Sequence, residues 1–304
     1  MRRGNRYIIT SFTAYWLAAQ CSRRLPLQFV YWLGFRVADR VHARDRAGRA
    51  HVAANLRRIY AYRRVRVSDA FIARRTRKTY QYFGKYLVDF FRYSTASRDE
   101  IERRVTVAGL DRLEDALARG RGAILLSAHL GNWELGGLTL ALLGHPVTTV
   151  YRPFGNPRID RLFEARRNAR GFTAIPIGSA ARELAGTLRR GGAVALLGDR
   201  DFSAHVHPVP FFGQPASLPR GPAVLAARTR APIVPAFLVR GVDDHYLLEF
   251  EPPIDPAGNG DVEHLQARIV EALERTIGAH PHQWFIFDDF WGGAAPADGR
   301  SATP

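Results

Sequence analysis

Short apolar runs alternate with helical patterns through most of the chain after residue 104. The runs have the length of buried strands and are bounded by glycine or polar residues; they cover 105–107, 123–126, 147–151, 173–177, 193–197, 233–239 and 246–250. Helical patterns lie between most of them, over 110–119, 135–143, 157–170, 180–190 and 262–277. This alternation predicts an α/β fold with a single mixed, largely parallel sheet flanked by helices.

The start of the chain has a different pattern, with apolar runs over 7–20 and 25–35 separated by Cys21-Ser-Arg-Arg24. Neither run reaches the roughly 18–20 residues of a spanning helix. Both are rich in aromatic residues and flanked by arginine, which suits the bilayer interface. We therefore expect a monotopic membrane anchor. The alternatives are a helical hairpin packed on its own core and a cleaved signal peptide, although no small-x-small cleavage site follows.

Residues 36–104 are helical in pattern and strongly basic. Their arginines fit a solvated helix face; nucleic-acid binding is the alternative, but zinc-ligand spacing and an RNA-binding aromatic signature are absent. We divide the chain into an N-terminal helical, basic, membrane-associating region (1–104), an α/β catalytic core (105–291) and a disordered tail (292–304).

Composition narrows the class of protein. The chain has 304 residues, of which 46% are hydrophobic, so a disordered protein is excluded. Its net charge of +16 comes almost wholly from arginine, since Lys78 and Lys85 are the only lysines. Part of that excess reflects codon bias, and the rest favours anionic partners such as a membrane surface, phosphorylated substrates or nucleic acid. Cys21 is the single cysteine, which excludes an intrachain disulfide.

The segment Gly122-Ala-Ile-Leu-Leu-Ser-Ala-His-Leu-Gly-Asn-Trp-Glu134 is the strongest candidate site. It places His129 and Glu134 at the end of a predicted strand, where an open α/β sheet usually has its chemistry. Our hypothesis is that His129 is a general base. Glu134, in the first turn of the next helix, would hold the imidazole in one tautomer and stabilise the imidazolium. With ten histidines and 28 acidic residues in the chain, this spacing is expected by chance, so a structural histidine is the alternative.

Basic residues follow the predicted strand 147–151. Arg152 lies directly after it, and the cluster continues with Arg158, Arg161, Arg166, Arg167 and Arg170. Guanidinium groups bind phosphate through paired hydrogen bonds, so Arg152 and Arg167 are candidates for binding an anionic substrate. A solvated basic helix is the alternative.

Two further segments supply candidate substrate-binding residues. Asp199, Arg200 and Asp201 follow strand 193–197 at the same edge of the sheet, and a metal site is disfavoured because Arg200 lies between the two acids. The apolar segment 209–222, which includes Phe212, is shaped by glycine and proline and suits a slot for a hydrocarbon chain; an ordinary core loop is the alternative.

The sequence lacks the G-x-S-x-G motif of a nucleophilic serine, which favours direct transfer over a covalent intermediate. In direct transfer a base removes the proton of a substrate hydroxyl, whose oxygen then attacks an activated acyl carbon. We expect backbone amides around Gly131 to form part of an oxyanion site.

Several blocks, in this order and spacing, resemble the lysophospholipid acyltransferase superfamily and, within it, the branch of lipid A biosynthesis and phosphatidylinositol mannoside acyltransferases. The resemblance extends from about Leu25 to Trp291. Its blocks are Ala54-Asn-Leu56, His129–Glu134, Arg152-Pro…Asn156-Pro with Arg167, Gly198-Asp-Arg-Asp201, Phe211-Phe-Gly213, Gly221-Pro-Ala223, Ala231-Pro-Ile-Val-Pro235 and His280-Pro…Gln283-Trp284-Phe285.

This resemblance implies a glycerolipid acyltransferase-like fold and a membrane-associated O-acyltransferase. The donor would be an acyl thioester of acyl carrier protein or coenzyme A, and the acceptor a hydroxyl of an anionic glycolipid such as a lipid A precursor. Phosphatidylinositol mannoside or a lysophospholipid is the alternative acceptor. The resemblance also implies that His129 is the base and that Glu134 is its partner. It further implies that Arg152 or Arg167 binds the head group of the acceptor.

The same resemblance implies no metal and no other cofactor. The expected partners are the lipid acceptor, the acyl donor and the membrane surface, without nucleic acid. The expected location is the cytoplasmic face of the inner membrane, peripheral or monotopic. Two rival functions remain at this point: a hydrolase on the same scaffold, and a non-enzymatic basic protein that binds membrane or nucleic acid.

Overall fold

The computed structural model describes residues 12–94, 96–153, 156–168, 172–177, 180–201, 207–256 and 261–292. Helices occupy the first part of this range: α1 (Phe12–Arg24), α2 (Leu27–Arg44), α3 (Arg46–Tyr62), α4 (Asp69–Tyr93) and α5 (Arg98–Glu102). The residues Cys21–Arg24, which separate the two apolar runs, belong to the end of α1, and the two helices are separated at Pro26. The reason is steric: proline disfavours a helical conformation in the residue before it and begins the next helix without strain.

The α/β part alternates strands and helices, as the apolar pattern predicts. Its elements are β1 (Val105–Ala108), α6 (Leu110–Ala118), β2 (Ala123–Ser127), α7 (Trp133–Leu142), β3 (Val147–Tyr151), α8 (Pro157–Asn168), β4 (Phe172–Pro176), α9 (Ala180–Arg189), β5 (Ala193–Leu197), β6 (Pro208–Phe211), β7 (Gln214–Ser217), α10 (Gly221–Thr229), β8 (Ile233–Arg240), β9 (Tyr246–Phe250) and α11 (Val262–Ala279). A 3₁₀ turn, Pro281–Gln283, follows α11.

Seven of these strands form one sheet in the order β1-β9-β8-β2-β5-β3-β4. Every neighbouring pair is parallel except β8 and β9. The mixed, largely parallel sheet expected from the sequence is therefore confirmed. The central strand β2 lies between β8 and β5, and it is buried on both faces because helices cover the sheet on both sides.

The segment predicted as an apolar loop, 209–222, forms regular structure instead. Strands β6 and β7 pair as an antiparallel hairpin, and α10 begins at Gly221. Phe212 and Gly213 make the hairpin turn with φ of 47° and 71°. Positive φ at both turn residues matches the twist of a two-residue hairpin. The sequence obscures this turn, because a phenylalanine there is far less usual than asparagine or glycine.

The N-terminal helices are tied to the sheet by a buried charge network. Arg240 on β8 forms an ion pair with Asp89 on α4, and their side chains are 3% and 0% exposed. Asp89 also accepts hydrogen bonds from the hydroxyls of Tyr31 (2.6 Å) and Tyr246 (2.5 Å), while Arg240 meets Asp244 at 3.1 Å. Each charge in this interior thus has partners from α2, α4, β8 and β9, as burial requires.

Within the described residues, no helix combines the length and apolar character needed to cross a bilayer. The expected tail, 292–304, lies outside the described part of the chain apart from Gly292. The division at residue 104 stays a prediction.

Candidate active site

The site lies where the adjacent parallel strands β2 and β5 end. Ser127 is paired with Leu197 at the last position of the two strands. His129 and Asp199 each follow two residues later, so the register brings them side by side. Nδ1 of His129 lies 2.8 Å from Oδ1 of Asp199, and the backbone N–H of His129 donates to Oδ2 at 2.9 Å. The sequence prediction that both segments end at one edge is therefore correct.

Asp199 is held as a buried carboxylate. Its side chain is 0% exposed, and the indole Nε1–H of Trp284 donates to Oδ2 at 2.8 Å. Burial raises the pKa of Asp199, but the nearby His129 imidazole and the three N–H donors outweigh it and leave that pKa below its usual value. An ionised carboxylate at Nδ1 accepts the proton of that nitrogen and fixes the tautomer of the ring.

The other ring nitrogen of His129 is available for chemistry. The side chain is 22% exposed, and no described residue makes a hydrogen bond to Nε2. Trp133 contacts the imidazole edge-on, with ring centroids 5.1 Å apart. With Nδ1–H bonded to Asp199, Nε2 has a lone pair to which none of the described residues donates. This is the arrangement of a general base whose partner is a carboxylate.

Glu134 was expected to occupy the place that Asp199 has at Nδ1. In the structure Glu134 is half-buried in the first turn of α7, and the carboxylate that orients His129 is Asp199. Local spacing suggested Glu134, whereas pairing of two strands brings in a residue 70 positions away in sequence. A catalytic role for Glu134 stays a prediction.

The turn between His129 and α7 requires glycine. Gly131 has φ of +61°, and a Cβ at this position would overlap the carbonyl oxygen of Leu238. The Gly131 amide donates to the carbonyl of Gln283 at 3.0 Å, and the Asn132 amide donates to Leu238 at 3.0 Å. The expectation that amides around Gly131 form an oxyanion site is thus wrong for these two groups, because strand β8 and the 3₁₀ turn already accept their protons.

Asn132 fixes the beginning of α7. Its side-chain oxygen accepts from the Leu135 amide at 3.1 Å, which is a helix N-cap. Its side-chain nitrogen donates to the Tyr246 hydroxyl at 3.3 Å, and Tyr246 in turn donates to Asp89. Asn132, at the end of the turn that follows His129, is therefore connected to the buried charge network.

Residues 281–292, which we call the C-terminal strap, cover the other side of His129. The Phe285 amide donates to the His129 carbonyl at 2.8 Å, and Leu130 and Trp284 form an antiparallel bridge. Sequence reasoning noted the block around Gln283-Trp284-Phe285 without assigning it a role. In the sequence, this block is marked by a tryptophan and an amide side chain close to the end of the chain. The functional feature that the sequence reasoning missed is the contact of Trp284 with Asp199.

Helix α3 and the segment after β5 hold the C-terminal strap in place. Asn55 on α3 donates to the carbonyls of Ile286 (3.3 Å) and Asp288 (3.0 Å). Arg200 forms an ion pair with the Asp288 carboxylate at 2.7 Å. Arg200 thus contacts the strap beside the site, and its predicted substrate contact stays a prediction.

The remaining predicted residues occupy different surroundings. Arg152 is exposed directly after β3, at the same edge of the sheet as His129. Asp201 accepts a hydrogen bond from the Ser217 hydroxyl at 3.3 Å. Arg167 lies in α8, and its side chain is outside the described part of the structure. Substrate binding by these three residues stays a prediction.

Phe212 is placed in the core rather than at an open surface. Its side chain is 1% exposed and packs edge-on against Tyr62, with ring centroids 5.6 Å apart. Its backbone amide donates to the carboxylate of Glu274. A role for Phe212 in lining an acyl slot also stays a prediction. Among the described residues, no three His, Cys, Asp or Glu side chains are grouped as metal ligands.

Comparison with known proteins now supplies the family. The family model described as bacterial lipid A biosynthesis acyltransferase matches residues 2–292. A phosphatidylinositol mannoside acyltransferase of Mycobacterium tuberculosis (strain ATCC 25618 / H37Rv) is 29% identical over 290 residues, covering 92% of this chain and 87% of that protein. Its counterpart in Mycolicibacterium smegmatis is 27% identical over 285 residues, covering 92% and 90%.

A lipid A biosynthesis acyltransferase of Haemophilus influenzae is 28% identical over 192 residues, covering 62% of this chain and 59% of that protein. The resemblance inferred from the sequence blocks and the expected enzyme class are both confirmed. The chain belongs to the bacterial lipid A biosynthesis acyltransferase family, and it is an acyltransferase.

Proposed function

We propose that this enzyme transfers a fatty acyl chain from an acyl thioester to a hydroxyl of an anionic glycolipid. The observation that supports the chemistry is the His129–Asp199 pair. Nδ1 of His129 is bonded to a buried carboxylate at 2.8 Å, and the His129 side chain is 22% exposed. Such a pair activates a hydroxyl without a covalent enzyme intermediate.

In the proposed reaction, Nε2 of His129 removes the proton of the acceptor hydroxyl as its oxygen attacks the thioester carbonyl. Asp199 stabilises the imidazolium that forms. When the tetrahedral intermediate collapses, the carbon–sulfur bond breaks and the thiolate takes the proton back from the imidazolium. The products are an ester and a free thiol, so acyl carrier protein or coenzyme A is a co-substrate and no metal or other cofactor is part of the scheme.

The choice of acceptor follows from the comparisons. Relatives named phosphatidylinositol mannoside acyltransferase align with 92% of this chain, whereas those named lipid A biosynthesis acyltransferase align with 61–62%. We therefore put a phosphatidylinositol mannoside first among acceptors, ahead of a lipid A precursor and a lysophospholipid. All three contain phosphate, which suits the net charge of +16.

Arg152 is our first candidate for the head-group phosphate. It is exposed at the end of β3, which lies beside β5 and so on the same edge as Asp199. Arginine pairs with phosphate through two hydrogen bonds, and its charge persists at every physiological pH. Arg167, Glu134, Asp201 and Phe212 are further candidate contacts.

The outer faces of α1 and α2 form the proposed membrane surface. We define it as Trp16, Leu17, Phe29, Trp32, Val37 and Val41, which are 43–52% exposed. Arginines share this face of α2, and the Arg36 guanidinium lies 5.6 Å from the centre of the Trp32 ring. Aromatic rings mixed with arginine are typical of helices that lie in the interface of an anionic bilayer.

This surface supports peripheral or monotopic association with the cytoplasmic face of the inner membrane, where the acyl donors of the cell are made and anionic lipids are abundant. We propose that the lipid acceptor is presented to His129 from the bilayer to which this surface binds.

Acyl transfer is tested with purified enzyme and a labelled acyl thioester, offered as acyl carrier protein or coenzyme A derivative. Each donor is combined with phosphatidylinositol mannoside, a lipid A precursor, a lysophospholipid or no acceptor. We expect an acylated glycolipid that depends on the acceptor. Release of free fatty acid at the same rate with and without acceptor would instead establish a hydrolase.

Membrane association is tested by flotation with vesicles of phosphatidylcholine alone or mixed with phosphatidylglycerol. We expect binding to the anionic vesicles and at least a fivefold loss with the double substitution Trp16→Ser/Trp32→Ser, because two interfacial aromatic anchors are removed. Val242→Ser/Leu247→Ser is the matched control, since both side chains are exposed outside this surface. Equal binding by both double variants would exclude α1 and α2 as the membrane surface.

A further inference from the structure

Trp284 makes a contact that the proposed reaction has not yet used. Its indole Nε1–H donates to Oδ2 of Asp199 at 2.8 Å, on the oxygen opposite the one that accepts from the His129 ring. Trp284 is 3% exposed and Asp199 is 0% exposed, so water does not replace this donor readily. The contact joins the C-terminal strap to the end of β5.

We propose that Trp284 is a positioning residue for acyl transfer: its indole N–H holds the Asp199 carboxylate in the orientation that presents Oδ1 to Nδ1 of His129. Only the expected effect of Trp284 on the rate of acyl transfer rests on the proposed function. The arrangement itself, Trp284 to Asp199 to His129, is testable without a substrate.

The first consequence concerns orientation. Oδ2 accepts from two donors, the Trp284 indole and the His129 backbone amide at 2.9 Å, and these fix the rotation of the carboxylate about its Cβ–Cγ bond. Without the indole N–H, a single backbone donor remains on Oδ2. The carboxylate is then free to turn, and the His129 ring loses its fixed tautomer for part of the time.

The second consequence concerns the hydrogen bond between Asp199 and His129. The two carboxylate oxygens share one charge, so a donor on Oδ2 affects how strongly Oδ1 accepts the Nδ1 proton. Removing the indole N–H therefore changes the environment of that proton, and the Nδ1–H resonance of His129 reports the change.

The indole is fixed from several sides. Its backbone is bridged to Leu130, the residue after His129. Its ring packs against Phe290 at 4.9 Å, and against Phe211 and Trp291 at 6.1 Å each, measured between ring centroids. A side chain held by packing on a rigid segment positions its partner with little loss of entropy at the moment of reaction.

Other charged groups on the neighbouring elements contribute to the electrostatics of the site and stay constant in the comparison below. Glu134 lies on α7, Arg200 and Asp201 follow β5, Asp288 lies on the C-terminal strap, and Glu274 lies on α11. Arg200 and Asp288 neutralise one another at 2.7 Å.

The test compares Trp284→Phe with Trp291→Phe. The substitutions are identical, both rings belong to one aromatic cluster, and Trp291 donates its indole proton to the Phe211 carbonyl at 3.1 Å rather than to Asp199. For Trp284→Phe we expect kcat to fall about 5- to 50-fold with KM unchanged, a part of the roughly 10²–10⁴-fold that a positioned base contributes. We also expect the downfield Nδ1–H resonance of His129 to shift or broaden, because the carboxylate that accepts this proton is no longer held by the indole.

Trp291→Phe, in contrast, is expected to leave that resonance as it is in the wild-type enzyme. A wild-type resonance and a wild-type rate in both variants would overturn the inference while leaving acyl transfer intact. An equal loss of kcat in both variants, without a change of the Nδ1–H resonance, would also overturn it, because it would show a general effect of aromatic packing.

A second measurement needs no substrate and keeps Trp284 in place. The Trp133 ring lies 5.1 Å from the His129 ring, so the measurement uses Trp133→Phe to remove the Trp133 indole resonance. With ¹⁵N-tryptophan and ¹⁵N-histidine labels, one of the four remaining indole N–H resonances is expected to move together with the titration of the His129 ring. If no indole resonance follows that titration, the inference is wrong even where Trp284→Phe fails to fold. If the coupling is present but the wild-type enzyme transfers no acyl group, the proposed function fails and the positioning contact stands.

Discussion

Replacing Asp199 with asparagine distinguishes the two carboxylates that have been considered as the partner of His129. The asparagine oxygen still accepts from Trp284 and from the His129 amide, so the surroundings of Oδ2 are preserved. Its NH₂ group, however, then faces Nδ1, where the native carboxylate oxygen lies at 2.8 Å. Two donors cannot share that contact. His129 must change tautomer and place its proton on Nε2, the atom proposed to receive the proton of the acceptor hydroxyl.

The expected loss of activity in Asp199→Asn is large. A base with the wrong tautomer and without a carboxylate to stabilise its imidazolium loses about 10³–10⁴-fold in kcat/KM, which corresponds to about 4–5.5 kcal/mol of transition-state stabilisation. The fold is expected to persist, because the buried polar atoms keep hydrogen-bond partners. Circular dichroism and the melting temperature check the fold, and initial rates of acyl-ester formation over a range of pH check the activity.

Glu134→Gln is the matched comparison. Whatever its effect on rate, it is expected to leave the downfield Nδ1–H resonance of His129 in place, since Asp199 accepts that proton. Asp199→Asn is expected to abolish the resonance. The reasoning is refuted if Asp199→Asn retains more than about a tenth of the wild-type kcat/KM, well above the loss expected for a tautomer change. It is also refuted if Glu134→Gln removes the resonance and Asp199→Asn does not.

Three further predictions concern stability. Asp89→Asn leaves the buried Arg240 without its main counter-charge and should lower the free energy of unfolding by about 3 kcal/mol in urea titrations. Gly131→Ala should lower it by more than about 2 kcal/mol, because the new Cβ overlaps the carbonyl of Leu238 at positive φ. Burial, and then nearby cations, lower the pKa of His282 to about 3. Neutral His282 therefore contributes fully to stability above its unfolded pKa of about 6.5, and this contribution is lost as pH falls. His282→Gln should reduce the fall in the free energy of unfolding between pH 6.5 and 5.5 by about 1 kcal/mol.

Each of these has a control within the chain. Asp69→Asn removes a carboxylate that is 92% exposed in its ion pair and should change stability little. Gly120 also has positive φ, +74° against +61° for Gly131, but open space around a new Cβ, so Gly120→Ala isolates backbone strain from the overlap. His245→Gln alters an exposed histidine. Equal effects in a variant and its control would contradict the corresponding structural explanation.

Much of the sheet was predictable because its strands are short apolar runs between glycines and polar residues. The predicted bounds 147–151, 193–197 and 246–250 agree with β3, β5 and β9. Local composition is informative for β5, which is covered by helices and needs apolar side chains, and for β9, whose buried positions Tyr246, Leu248 and Phe250 alternate with exposed ones. The position of His129 at a strand end followed from the same pattern.

The partner of His129 was not predictable in the same way. Glu134 is five residues away in sequence, whereas Asp199 becomes adjacent only because β2 pairs with β5. Pairing between strands is a long-range choice that apolar periodicity does not encode. Trp284 was overlooked for a similar reason: the C-terminal strap returns across the site after α11, and only its backbone bridge to Leu130 reveals which strand end it covers.

The most direct test of the account is the formation of acyl ester by His129→Ala. Its fold should persist, since the His129 side chain is 22% exposed and, among the described residues, its side-chain hydrogen bond is to Asp199. With a labelled acyl thioester and a phosphatidylinositol mannoside acceptor, we predict loss of ester formation to the uncatalysed rate, while His245→Ala retains the wild-type rate. Ester formation by His129→Ala near the wild-type rate would contradict the claim that this histidine is the base.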